Sequence, residues 1–175
     1  KERRIYELSQ VDRMPSVMPY QLVGGFRHLC NLLQTNSGDI DAVINSLKDI
    51  KPEQEAGFRT RCGCAWYWIT ECAPEEFRFA LKNPNAEDYK KADLTEGQLK
   101  AIRKVVSDVL PKMDELEEKP LSEAVYAVAK ECEIEPKELF NAMYQTLIGK
   151  DQGPRLAGFM KVIGSERLKN LLGNY

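Results

Sequence analysis

The chain has 175 residues, 43% of them hydrophobic and 30% charged, a balance that fits a folded domain of ordinary size and excludes disorder and collagen-like repeats. Its 25 basic and 27 acidic side chains leave a formal charge of -2 and a pI near 5.6, which weighs against a dedicated nucleic-acid binder. No apolar run reaches the roughly 18–20 residues of a membrane-spanning helix, and Lys1-Glu2-Arg3-Arg4-Ile5-Tyr6-Glu7 lacks the apolar core of a signal peptide, so the expectation is a cytoplasmic chain with no membrane partner.

Helical periods recur along the chain and strand signals are scarce, which predicts an all-α fold. After Pro15 and Pro19, the residues Phe26, Leu29, Cys30 and Leu33 fall at i, i+3, i+4, i+7 spacing. A second helix is expected over Asp39 to Lys48, with Ile40, Val43, Ile44 and Leu47 on one face and Ser37 or Asp39 as N-cap. A third should run from Pro52 to Cys72 with the stripe Phe58, Cys62, Ala65, Ile69, Cys72; Trp66 and Trp68 flank that stripe, and Arg59 and Arg61 occupy the preceding turn. Ala73-Pro74-Glu75-Glu76-Phe77 reads as a fresh helix start, with proline at N1 and carboxylates in the first turn.

Asn83-Pro84-Asn85 then breaks the chain, and Thr95-Glu96-Gly97-Gln98 is a capping-box pattern for a helix carrying Leu99, Ile102, Val106, Val109 and Met113, kinked or ended by Pro111. The acidic, proline-terminated segment from Asp114 to Pro120 suggests two subdomains, residues 1–115 and 116–175. Four short helices should fill the second: one capped by Ser122, one opened by Pro136 and closed by Gly149, one from Pro154 to Gly164, and one capped by Ser165.

Cys30, Cys62, Cys64, Cys72 and Cys132 are an odd set beside the single His28, without zinc-ligand spacing, and read as small buried apolar side chains; no metal is expected. A stand-alone enzyme built on a thiol and His28 is formally possible but has no supporting motif: phosphate loops, nucleophile elbows and His-Glu-x-x-His helices are all missing. No catalytic residue is nominated. Charge is uneven, however. Residues 1–34 carry five basic and three acidic side chains, residues 35–136 fourteen and twenty-one, and residues 137–175 six and three, so a basic surface could form from Lys150, Arg155, Lys161, Arg167 and Lys169.

The string Pro136-Lys137-Glu138-Leu139-Phe140-Asn141-Ala142-Met143-Tyr144-Gln145-Thr146-Leu147-Ile148-Gly149-Lys150-Asp151-Gln152-Gly153-Pro154-Arg155-Leu156, followed by Gly158-Phe159 and Gly164-Ser165-Glu166-Arg167, closely resembles the C-terminal end of class I lysyl-tRNA synthetases. Tyr6-Glu7-Leu8-Ser9, Phe26-Arg27-His28-Leu29, and Trp68 with Ala73-Pro74-Glu75-Glu76-Phe77-Arg78-Phe79 agree in order, so the resemblance is nearly full length. It implies a multi-helix bundle followed by a compact, α-helix cage-like subdomain that reads the anticodon stem-loop of tRNA, with no DNA partner. The family's catalytic signatures, His-Ile-Gly-His-like and Lys-Met-Ser-Lys-Ser-like, are missing here. The expectation is therefore a fragment without catalysis or cofactor of its own; its catalytic domain, in cis in the full-length enzyme, uses ATP to attach lysine to tRNA.

Under that resemblance, Lys150 and Arg155 are expected at phosphates, beside the helix N-terminus at Gly153-Pro154. Trp66, Trp68 and Phe77 are expected against bases, with Arg59, Arg61 and Arg78 as partners. The alternative is a helical protein-interaction module whose exposed aromatics dock a partner.

Overall fold

In the computed structural model, residues 25–47 and 50–175 are described; Tyr6-Glu7-Leu8-Ser9, Pro15, Pro19 and Lys48 lie outside that set. The described residues are 66% helical and contain eight α-helices and no strand. In order these are α1 (Phe26–Thr35), α2 (Ile40–Ser46), α3 (Pro52–Tyr67), α4 (Glu96–Lys104), α5 (Glu118–Glu131), α6 (Pro136–Ile148), α7 (Leu156–Ile163) and α8 (Ser165–Leu172).

Two apolar cores organise them. The first joins α1, α2 and α3 through Leu29, Cys30, Leu33, Val43, Phe58, Cys62, Ala65 and Ile69. The second is built by α4 to α8, with Ile102, Met113, Leu121, Leu139, Met143, Leu147, Phe159, Met160, Leu168 and Leu172 fully buried. The change of core falls between Ile69 and Phe79. The acidic segment near residue 115 leads into α5, and Met113 and Leu121 on either side of it lie in the second core. The cores are not independent. Helix α1 packs on α7, Val162 reaches the first core, and Arg167 of α8 donates to the carbonyl of Thr35 (3.1 Å) and to Asn36 Oδ1 (3.2 Å) at the C-terminus of α1.

Several boundaries follow from local chemistry. Asp39 caps α2 by accepting from Ala42 N–H at 2.9 Å, and the Thr95/Gln98 capping box opens α4, each worth about 1 kcal/mol. Gly149 closes α6 in the left-handed region at φ 68°, where only glycine is unstrained. Three expected caps or starts do not form. Helix α5 begins at Glu118 rather than at Ser122, because Pro120 sits in the first turn, where its missing N–H has no intrahelical acceptor anyway. Gly164 occupies the N-cap of α8, and the Ser165 hydroxyl turns to Asp114 Oδ2 at 2.6 Å. After Pro74 the chain makes one turn and no helix.

The third helix shows why periodicity misplaced Cys72. The end of α3 widens into a π turn, Trp68–Cys72, in which Ala73 N–H donates to Trp68 O, five residues back, at 2.8 Å. That extra residue advances the apolar stripe by one place, so Ala73 is buried and Cys72 is exposed. A second π turn, Val105–Val109, precedes Pro111, which cannot supply the usual helical donor, and a 3-10 turn over Leu110–Lys112 ends the helix. Between Cys72 and α4, residues 73–94 form a strap without regular structure. Its backbone is fixed along its length: Phe79 N–H donates to the buried Gln34 (2.7 Å), Lys82 N–H to Leu147 O (2.8 Å), and Ala92 N–H to the Tyr175 hydroxyl (2.6 Å).

Candidate nucleic-acid interface

Four of the eight nominated residues meet where the strap leaves α3. Trp68, first in the π turn, lies edge-on between Phe26 and Phe77, its ring centroid 5.1 Å from each, at interplanar angles of 71° and 80°. The row joins the start of α1, the end of α3 and the strap, and Phe26 leaves 51% of its surface open to solvent. Spacing with Leu29, Cys30 and Leu33 places Phe26 on the apolar stripe of α1. Its place as the first helical residue puts it past the edge of the core, a signal that stripe spacing alone does not carry.

Next to the row, the Arg78 guanidinium donates through Nε to Ala73 O at 2.9 Å, closing the turn that carries Phe77. Lys150, directly after Gly149, donates from Nζ to Glu75 O (2.8 Å) and Arg78 O (2.6 Å). Glu75, Arg78, Phe79 and Lys150 line an open depression of about 500 Å³.

The remaining nominees stand elsewhere. Trp66 covers Gly38: a Cβ there would lie 2.4 Å from Trp66 Cε2, so this indole seals the α1–α2 turn while staying half-exposed. Arg59 is paired with Asp41 of α2 (2.6 Å) and Glu55 (2.9 Å), which hold its guanidinium more firmly protonated still. Arg61 lies partly exposed on the same helix. Arg155 is exposed as the N-cap of α7; its carbonyl accepts from Phe159 N–H at 2.8 Å, while its guanidinium makes no hydrogen bond or ion pair with the described residues.

The basic count of the C-terminal segment overstates the free charge there. Lys150, Lys161 and Arg167 all donate to backbone carbonyls, those of Glu75 and Arg78, of Asp114 (3.4 Å), and of Thr35. The expected anion site at Gly153-Pro154 is also altered. Helix α7 begins only at Leu156, and the Glu118 carboxylate already packs against Gly158 in its first turn, where a Cβ would meet Oε1 at 2.6 Å. The loop itself is rigidly held. Tyr144 Oη donates to Pro154 O at 2.6 Å, burial pushing that phenol up to about 12, and Asp151 accepts from Asn141 and Gln145, which hold its carboxyl below the usual range.

Thiol chemistry finds no support. Burial pushes Cys30 and Cys62 up to about 11, the opposite of an activated nucleophile, and His28 is exposed. Cys132 is buried as well, whereas Cys64 and Cys72 are exposed, against the expectation of uniformly buried cysteines. Among the described residues no three His, Cys, Asp or Glu side chains gather as a metal site, and no helix is long and apolar enough to cross a membrane.

A family model described as an anticodon binding domain matches residues 70–172, more than half of the chain. The chain belongs to the anticodon binding domain family. The match takes in the end of the π turn, the whole strap and the second core; the first core lies outside it. Similarity to individual proteins extends further. The chain is 49% identical over 176 residues to a lysine–tRNA ligase of Treponema pallidum, 34% identical over 175 residues to one of Borreliella burgdorferi, and 26% identical over 187 residues to one of Methanopyrus kandleri. These alignments cover 98 to 100% of the chain and 32% of each ligase, so the chain spans about a third of the length of these relatives.

Proposed function

We propose that the chain is the anticodon-reading region of a class I lysine–tRNA ligase and binds the anticodon stem-loop of tRNA(Lys). The parent enzyme would attach lysine to tRNA at the expense of ATP, with the nucleotide site and all bond-making in a catalytic domain outside these 175 residues, and with translation in the cytoplasm as its setting. The observation that carries this reading is the anticodon-domain match over residues 70–172, joined to full-length similarity to lysine–tRNA ligases. The surface chemistry supports it. Loop bases of RNA can be splayed and stacked on aromatic rings, each worth on the order of 1–3 kcal/mol, and the Phe26–Trp68–Phe77 row beside Arg78 offers such faces.

On this reading Phe26, Trp68, Phe77 and Arg78 meet bases and Arg155 meets a phosphate. Trp66, Arg59 and Arg61 contribute from α3, where Trp66 and Arg59 also seal and tie the first core. A filter-binding titration with anticodon stem-loop RNAs tests it. Affinity should fall as salt rises, and a lysine anticodon should bind more tightly than a non-cognate one. Equal binding of all anticodons, or binding indifferent to salt, would refute it. A protein-docking module is the second reading, favoured by the half-open Phe26 and by Tyr67, 66% exposed; it predicts no RNA binding at all.

A further inference from the structure

Lys150 stands apart from the other basic residues of its segment. Its ammonium reaches across 75 and 72 positions of sequence to two carbonyl oxygens of one turn, those of Glu75 and Arg78. The two acceptors bracket Phe77, whose ring packs on Trp68. The lysine is itself fixed from behind, because Gly149 closes α6 in the left-handed region, with its N–H on Tyr144 O at 3.0 Å. A compact ammonium with three donors, two of them engaged, is suited to gathering carbonyls that no helix or sheet would satisfy. Without it, that turn would retain the Arg78 contact to Ala73 O and the Gln34 contact to Phe79 N–H, and among the described residues the next hydrogen bond from the strap to the end of α6 would be that of Lys82 N–H to Leu147 O.

We propose that Lys150 is a positioning residue for RNA recognition: it sets the turn that presents Phe77 and Arg78, and acts on the anticodon loop through that turn rather than by holding a phosphate. This rests on the anticodon-reading function proposed above. A phosphate contact and a positioning role give different signatures. A lysine that neutralises a phosphate contributes about 0.7 to the slope of log affinity against log salt on single-stranded RNA. A lysine that positions Phe77 contributes nothing to that slope, and its removal overlaps with the removal of Phe77.

The test compares wild type, Lys150→Met, Phe77→Ala and the double variant, each titrated with a lysine-anticodon stem-loop RNA over a salt series. Lys150→Met keeps the length of the stem and removes the donors. The expected result is about a tenfold loss of affinity, an unchanged salt slope, and a double variant no weaker than Phe77→Ala alone. Lys150→Arg, which can still donate to two carbonyls, should recover most of the loss. In the protein without RNA, amide exchange at residues 77–79 should quicken in Lys150→Met while α6 stays protected, and the emission of Trp68 should shift. Additive losses with a slope lower by about 0.7 would overturn the proposal in favour of a phosphate contact. Unchanged amide exchange at residues 77–79 would overturn it independently of RNA. Failure of wild type to bind the RNA would instead overturn the functional reading, and this role with it.

Discussion

The two cores differ in how they are built. The second draws on five helices and buries Phe159, Met143, Met160, Leu139, Leu147 and Leu168 away from solvent. The first has three helices, and two of its buried positions are cysteines and one an alanine; its rim is finished by half-exposed aromatics, Trp66, Trp68 and Phe77. The larger core is the part that matches the anticodon-domain family, and the smaller one completes the aromatic row from its side. A scaffold with deep burial thus carries a strap, and a thinner layer of helices supplies the other wall of the surface. Local stability should follow the same division, with the first core opening more readily.

Mutations should separate the two regions. Phe159→Ala empties the second core, where the ring is 1% exposed and packs edge-on to Phe79 at 5.2 Å, and should cost about 3–5 kcal/mol. Chemical denaturation followed by circular dichroism should show the whole molecule destabilised, the first core included. Gly38→Ala strikes the first core alone. The position has φ 81°, and a Cβ would sit 2.4 Å from the Trp66 ring, so about 2–3 kcal/mol should be lost, seen as tryptophan emission changing before helical signal.

Arg167→Met removes the tie from α8 to the end of α1 and should cost about 1 kcal/mol, widening any gap between the two unfolding signals. Smallest is the alkaline effect. The folded state holds the protons of Cys30 and Cys62 up to about 11, against an ordinary value of 9.0, so the stability due to their neutral burial is intact below pH 9 and is lost as pH rises from 9 towards 11. Denaturation midpoints across that window should fall, and a thiol reagent at neutral pH should modify Cys64 and Cys72 well before the other three.

Helical class, the punctuation at Thr95, Pro136, Gly149 and Gly164, and the α3 stripe as far as Ile69 were legible because they depend on neighbours three or four residues away. What escaped the sequence depended on distant partners or on one inserted residue. The π turn at Trp68 moved burial from Cys72 to Ala73, the turn after Pro74 gave up its helix, and three of the five basic residues near the C-terminus proved to hold carbonyls. Of the nominated site, Trp68, Phe77 and Arg78 come together with Lys150, while Arg59 and Trp66 serve the first core, and Phe26 was missed.

The most direct measurement is amide chemical-shift mapping of the protein titrated with a lysine-anticodon stem-loop RNA. The largest shifts are expected at Phe26, Trp68, Phe77 and Arg78, with a further one at Arg155 on the N-cap of α7. Shifts confined to other surfaces, such as Tyr126 and Phe140 across α5 and α6, with the aromatic row unmoved, would contradict the proposed function.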